Sequence, residues 1–309
     1  MPFFVAGGAG LLTAAARHCD LDIPVIRIEH PGDAAEAFNE GLPVLPLAGH
    51  ADVEWRPGEP FREGAALALA SLEQACALAL SGAASALVTG PVAKHALTEV
   101  GFAHPGQTEF LAQACGTASQ DAVMMLAGPT LRTIPLTVHC ALSEVADLLT
   151  AELIYRRTAI AARALAGDFG IAKPRIAVAG LNPHAGEGGK FGDEEERIIA
   201  PAIVKLRADG FDVSGPHPAD ALFAARQRAT YDVAVCMYHD QALIPLKALD
   251  FDAGVNVTLG LPIIRTSADH GTAFGIAGKG LADAGATVAA IRMAGECATR
   301  RSSERQQLP

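Results

Sequence analysis

Short apolar runs alternate with longer Ala- and Leu-rich stretches along the chain, and the two patterns predict different elements. The short runs, at 3–6, 86–89, 122–127, 133–136, 175–179 and 233–237, read as buried strands. The longer stretches, at 64–80, 143–166 and 194–209, read as helices. Ser143 is expected to open the second helix, because a serine hydroxyl there can take an unpartnered amide. Alternation of this kind predicts an α/β fold on a mainly parallel sheet. Sites in such sheets lie beyond the carboxyl ends of the strands. Three strand candidates run straight into unusual loops: Thr89-Gly90-Pro91, Gly180-Leu181-Asn182-Pro183-His184 and Tyr238-His239-Asp240.

Those loops direct attention to the histidines. His139, His184 and His239 each follow an apolar run. A parallel sheet would deliver all three imidazoles to one edge. Three neutral imidazoles suit a divalent ion such as Zn²⁺ and leave a coordination position open. Taken singly, each is equally an ordinary loop histidine, and the spacing matches no short zinc motif.

Three glycine-bearing segments add candidates. Asn182 to Gly192 carries Gly186, Gly188, Gly189 and Gly192 around His184, and its acidic end opens a helix. Gly254 to Ser267 is uncharged except for Arg265. A guanidinium there, with Asn256 and Lys247 nearby, can clamp a phosphate or carboxylate through paired hydrogen bonds; the alternative is a surface salt bridge. The third segment runs from His270 to Gly280. No Gly-x-Gly-x-x-Gly fingerprint with a following acidic residue occurs in a βαβ context, so a dinucleotide would be held in another manner.

Charge and composition narrow the class. The net charge is −10 and no long basic run occurs, Arg300-Arg301 lying in a short charged tail, which excludes a nucleic-acid footprint. Half of the residues are hydrophobic and 19% are charged, which argues against disorder. No uncharged apolar stretch of membrane-spanning length occurs, and Met1-Pro2-Phe3-Phe4-Val5 lacks the basic start of a signal peptide. The cysteines, at 19, 76, 115, 140, 236 and 297, form no Cys-x-x-Cys pair and read as reduced, mostly buried thiols of a cytoplasmic protein.

Taken together, the segments Val88-Thr89-Gly90-Pro91, Gly106-Gln107-Thr108-Glu109-Phe110, Leu181 to Gly189, Met237 to Gln241, Leu243 to Lys247, Gly254 to Pro262 and Asp269 to Ala273 resemble the 4-hydroxythreonine-4-phosphate dehydrogenase family. The likeness runs from Phe3 to about Val288. It implies two α/β/α domains of the isocitrate and isopropylmalate dehydrogenase kind, 1–104 plus 269–309 and 105–268, with the site in the cleft between them. It implies metal-dependent, NAD- or NADP-linked oxidation of a small phosphorylated hydroxy acid, with Zn, Mg or Co as the metal. The metal falls to His139, His184 and His239, with one histidine donated by the neighbour in a homodimer. The substrate falls to Gln107, Thr108, Lys247, Asn256 and Arg265, and the adenosine end of the cofactor to His270, Gly271, Thr272 and Ala273. Asp240 is the one candidate for a general base, and equally a group that orients an imidazole. The family commonly begins with a further strand and a Gly-Asp-Pro loop, which these residues lack, has His at position 107, and has an acidic residue where Gly275 stands. Two alternatives stay open: a dehydrogenase of a related diol acid, whether phosphorylated threonate or erythronate or an aromatic dihydrodiol acid, and a phosphate acyltransferase of related fold.

Overall fold

The computed structural model describes residues 1–50 and 53–307. Two sheets organise the chain. In the first, β1 (Val5–Gly7), β2 (Val25–Arg27) and β3 (Leu42–Pro46) run parallel in the order β1-β3-β2, with α1 (Ala9–His18) after β1. The 19-residue helix α2 (Arg62–Leu80) packs against both β1 and β4 (Leu87–Thr89). It is long and apolar enough to cross a membrane by composition alone. Glu73 interrupts it, and it buries Ala65, Leu67, Leu72 and Cys76 within the protein.

After α3 (Gln107–Ala114) come β5 (Val123–Ala127), β6 (Arg132–Pro135), α4 (Ala151–Gly167), β7 (Ile176–Ala179) and α5 (Ala200–Ala208). The chain continues with β8 (Val213–His217), β9 (Val233–Cys236), α6 (His239–Asp250), β10 (Val255–Leu259), β11 (Arg265–Ala268) and α7 (Gly285–Gln307). Eight strands form the second sheet, in the order β4-β11-β10-β5-β6-β9-β7-β8.

Period-two alternation divides this sheet's side chains between two faces. Val123, Met125, Ile176, Val178, Val233, Val235, Val255 and Val257 pack under α4, α5 and α7. Leu126, Ala177, Ala179, Ala234 and Cys236 meet Leu243 and Leu246 of α6 on the other face. Helices on both faces explain why β7 and β9 are buried along their whole length and read as continuous apolar runs. Each fully buried Val, Leu or Ile contributes about 1.5–3 kcal/mol.

All six strands expected from the sequence form, with ends shifted by one or two residues. The second sheet is mixed, however: β5 pairs antiparallel with β6 and β10, and β10 antiparallel with β11. The segment from Gly254 to Ser267, read above as a glycine-bearing loop, is mostly this last strand pair. Its turn passes Gly260, whose φ of +83° suits a residue without a Cβ.

The expected helix at 143–166 is broken. Leu142–Glu144 is a 3₁₀ turn, Val145–Leu148 one short helical turn, and the long helix starts only at Ala151. Ser143 is therefore not its cap. Thr150 is, its hydroxyl accepting the Leu153 amide at 3.1 Å. The sequence pattern missed the break because apolar residues recur at helical spacing through it. The helix expected at 194–209 opens with a π turn, Glu195–Ile199. All six cysteines are free; Cys76, Cys236 and Cys297 are buried and Cys19 is exposed.

Candidate active site

β6, β9 and β7 are parallel neighbours, so their carboxyl ends share one edge. His139 lies beyond β6, His239 opens α6 directly after β9, and His184 lies in the loop after β7. The backbone thus brings all three histidines to that edge, as the sequence predicts. The rings of His139 and His239 stand 6.4 Å apart, centroid to centroid. His184 instead stands beside Phe191, at 6.1 Å. Among the described residues, no three His, Cys, Asp or Glu side chains converge on one point.

Side chains that the sequence reading had not singled out hold this edge together. Thr137 donates its hydroxyl to the Met237 carbonyl at 2.9 Å, tying β6 to β9. Gln241 accepts the Met237 amide at 2.7 Å and donates to the Gly180 carbonyl at 2.8 Å, tying β9 to β7. Both are buried. Asp240 lies 2.7 Å from His239 Nδ1. That contact fits a group that fixes the imidazole's tautomer and leaves Nε2 free.

The loop carrying His184 is unusual in its backbone. His184, Ala185 and Glu187 have φ values of 53°, 52° and 43°, and Gly186 and Gly188 share the left-handed region. Each non-glycine residue there costs about 1–2 kcal/mol, so surrounding bonds must offset the strain. The buried Glu195 carboxylate supplies some of them: Oε1 accepts the Asn182 amide at 2.7 Å and Oε2 accepts Asn182 Nδ2 at 3.0 Å.

A second cluster gathers around Arg265. Its side chain is only 4% exposed. Nη1 donates to Thr258 at 3.0 Å; Nη2 donates to Thr89 at 2.8 Å and to Gln107 Oε1 at 3.0 Å. Gln107, at the start of α3, also donates Nε2 to the Gly90 carbonyl at 3.0 Å, and Thr108 follows it. All of Arg265's partners are neutral oxygens. Burial lowers its guanidinium to about 10, which still leaves it charged at neutral pH. Arg265 Nε and Asn256 Oδ1 are buried without partners among the described residues. Register puts Asn256, Thr258, Arg265 and Ser267 on one face of the sheet. A buried cation facing only neutral groups is unfavourable until an anion joins it. Arg265 is thus no surface salt bridge. Lys247, on α6, pairs with Asp269 just beyond β11 at 3.1 Å.

Beyond Asp269, the segment His270–Ala273 lies on the surface, with Ala273 left-handed at φ 48° and no atom within 4 Å of a Cβ built on Gly271. Farther along, Gly278 packs on Pro57 and its carbonyl meets His18, so the segment leans on the part of the chain that holds the small sheet.

Strand direction fixes where the two clusters lie. β4, β11 and β5 run one way; β10, β6, β9, β7 and β8 run the other. The histidines follow the carboxyl ends of β6, β9 and β7. Thr89, Asp269 and Asn256 lie at the opposite edge, whereas register sets Arg265 and Thr258 level with Pro135, at the end of β6, and the Arg265 side chain spans from Thr258 to Thr89. The polar groups around Arg265 therefore extend from the histidine end of the sheet to the other. Clefts of about 310 and 340 Å³ flank Ile160, Arg163 and Gly260, and no residue of either cluster lines them.

Comparison with known proteins tests the family resemblance that the sequence carries. A family model described as "Pyridoxal phosphate biosynthetic protein PdxA" matches residues 1–294. A 4-hydroxythreonine-4-phosphate dehydrogenase from Erythrobacter litoralis (strain HTCC2594) is 60% identical over 301 residues, covering 97% of this chain and 89% of the relative. The chain belongs to the 4-hydroxythreonine-4-phosphate dehydrogenase (PdxA) family.

Solved structures agree. The 4-hydroxythreonine-4-phosphate dehydrogenase of Klebsiella pneumoniae superposes with a TM-score of 0.84 at 41% identity, over 95% of this chain and 88% of that one. A terephthalate 1,2-cis-dihydrodiol dehydrogenase from Burkholderia xenovorans LB400 superposes at 0.65 with 28% identity, over 94% and 95%. As a member of the PdxA family the chain is a dehydrogenase, and the acyltransferase alternative falls away.

Proposed function

We propose that this dehydrogenase oxidises 4-phosphooxy-L-threonine with NAD or NADP, in a metal-dependent reaction. The product is a β-keto acid that loses CO₂ to give 3-amino-2-oxopropyl phosphate, a step of pyridoxal 5'-phosphate biosynthesis in the cytoplasm. The observation that carries this reading is Arg265, a buried cation with neutral partners and an unpartnered Nε, built to receive an anion. That feature calls for an anionic substrate, and Lys247 and Asn256 together with Arg265 favour a phosphorylated one.

Arg265, Lys247 and Asn256 bind the phosphate, and Thr108 lines its approach. Gln107 has both ends of its amide engaged within the chain, so it acts by aiming Arg265. Lys247 is held by Asp269 until the anion arrives. His139, His184 and His239 hold one divalent ion, Zn²⁺, Mg²⁺ or Co²⁺. The donor set fits, since two imidazoles already approach each other and Asp240 can keep the His239 ring nitrogen Nε2 unprotonated. His270, Gly271, Thr272 and Ala273 receive the dinucleotide, and the open space at Gly271 fits a close approach by a ligand. When bound, the ion supplies Lewis acidity toward the substrate hydroxyl and the dinucleotide accepts hydride.

The site is shared by two copies in a homodimer. This rests on the resemblance, which draws one metal histidine from the neighbour, and on His184, which stands beside Phe191 while His139 and His239 face each other; His184 of one copy joins His139, His239 and Arg265 of the other. The division into 1–104 plus 269–309 and 105–268 belongs to the same proposal, although the large sheet crosses that boundary where β4 pairs with β11. The reaction is tested by following reduced cofactor with 4-phosphooxy-threonine, NAD⁺ and Zn²⁺ or Mg²⁺. Reduction abolished by chelator and by His184→Ala supports the reading. A folded, metal-loaded protein that reduces cofactor only with an unphosphorylated diol acid overturns it.

A further inference from the structure

We infer that Glu195 is a positioning residue for His184: its buried carboxylate keeps the 182–192 loop in its left-handed form and so sets where the imidazole stands. The inference rests on the metal reading proposed above.

Glu195 is 3% exposed and lies at the first position of the π turn that leads into α5. It therefore anchors the loop to a rigid helix. Its two oxygens are used separately, Oε1 on the Asn182 backbone amide and Oε2 on the Asn182 side-chain amide. Asn182 Nδ2 also donates to Glu194 at 2.7 Å. The knot thus closes at Asn182, two residues before His184.

Glycines make room for it. A Cβ on Gly180 would come within 3.0 Å of Glu195 Oε1, and one on Gly186 within 2.7 Å of Oε2. A Cβ on Gly192 would collide with the Asn182 amide. Gly186 additionally needs its φ of +78°. The glycines of this loop therefore do more than loosen it: they admit a carboxylate that holds strained backbone at His184, Ala185 and Glu187. Without that carboxylate the three non-glycine residues have every reason to relax to negative φ, and the imidazole moves with them.

Cobalt serves as the probe, because Co²⁺ reports its ligand set through visible absorption as well as through affinity. In Glu195→Gln, amides across 182–192 exchange hydrogen faster, Co²⁺ affinity falls about tenfold or more, as for other groups that orient a ligand, and the absorption bands shift. Asn182→Ala, a milder change, moves all three in the same direction by less. Glu196→Gln, which removes a neighbouring exposed carboxylate, leaves them unchanged. Faster exchange with unchanged Co²⁺ affinity and spectrum overturns the inference, since Glu195 would then serve loop stability alone. Unchanged exchange overturns it too. Wild-type protein that takes up no Co²⁺ overturns the metal reading itself, a failure seen in a different sample from the other two.

Discussion

Around Arg265, the guanidinium has three neutral partners and a buried Nε with none among the described residues. Around His184 the gap is of another kind. The loop is tightly held, but the imidazole has Phe191 beside it and no second histidine. The anion corner is electrostatically unbalanced and structurally complete; the histidine edge is structurally held and chemically incomplete. Both gaps are filled if the two regions meet across a pair of chains.

The largest effect separates function from stability at the anion corner. Arg265→Met is expected to lower kcat/KM by about 100- to 10,000-fold, from loss of two charge-assisted bonds to the phosphate at about 1.5–3 kcal/mol each. The same change removes a buried, unpaired charge, so the melting temperature stays level or rises. Arg265→Lys does not rescue, because an ammonium lacks the planar fork. Steady-state kinetics and calorimetry on the same samples check both halves; a large fall in melting temperature with activity retained would reverse the assignment.

Next comes the histidine edge. His184→Ala is expected to weaken divalent-ion binding by more than about 100-fold, beyond the range seen for groups that only orient a ligand. Titration calorimetry measures it, and phosphate binding to the same variant stays intact. Gln241→Leu takes away the bonds to Met237 and Gly180 and leaves both backbone groups buried. It is expected to cost about 2–4 kcal/mol of stability, read from denaturant midpoints, while ion affinity falls with it.

A pH series sharpens the contrast. Burial lowers Arg265 to about 10, and only the protonated guanidinium attracts an anion. Binding of inorganic phosphate by the free enzyme is therefore expected to hold steady from pH 8 and weaken as pH rises through about 10. The smallest effect is a control away from both regions. Thr150→Ala should cost about 1 kcal/mol through loss of a helix cap, with kcat unchanged.

Much of this was legible in the sequence. The strand runs at 86–89, 122–127 and 233–237 could be read because strands buried on both faces are apolar at nearly every position. The histidine edge followed from three such runs ending in histidine-bearing loops. Arg265 drew notice because it is the one charge in a long neutral segment, but its partners Thr89 and Thr258 did not, since hydroxyls carry no spacing signal. Gln241, Thr137 and Glu195 were passed over for the same reason: a residue that ties two strand ends together is recognisable only once the strands are adjacent. The antiparallel reversal at β5 and β6 was missed as well. It sets Arg265 level with the end of β6, and nothing in a short apolar run records its direction.

His184 and Arg265 belong, on this reading, to one site built from two chains, and mixing variants tests that most directly. His184→Ala and Arg265→Ala are each expected to be inactive alone. Co-refolded in equal amounts, they should recover about a quarter of wild-type activity, since half the dimers are mixed and each mixed dimer holds one intact site. Recovery of no activity, with mixed dimers demonstrated, would mean that both clusters serve a site within a single chain and would contradict the account.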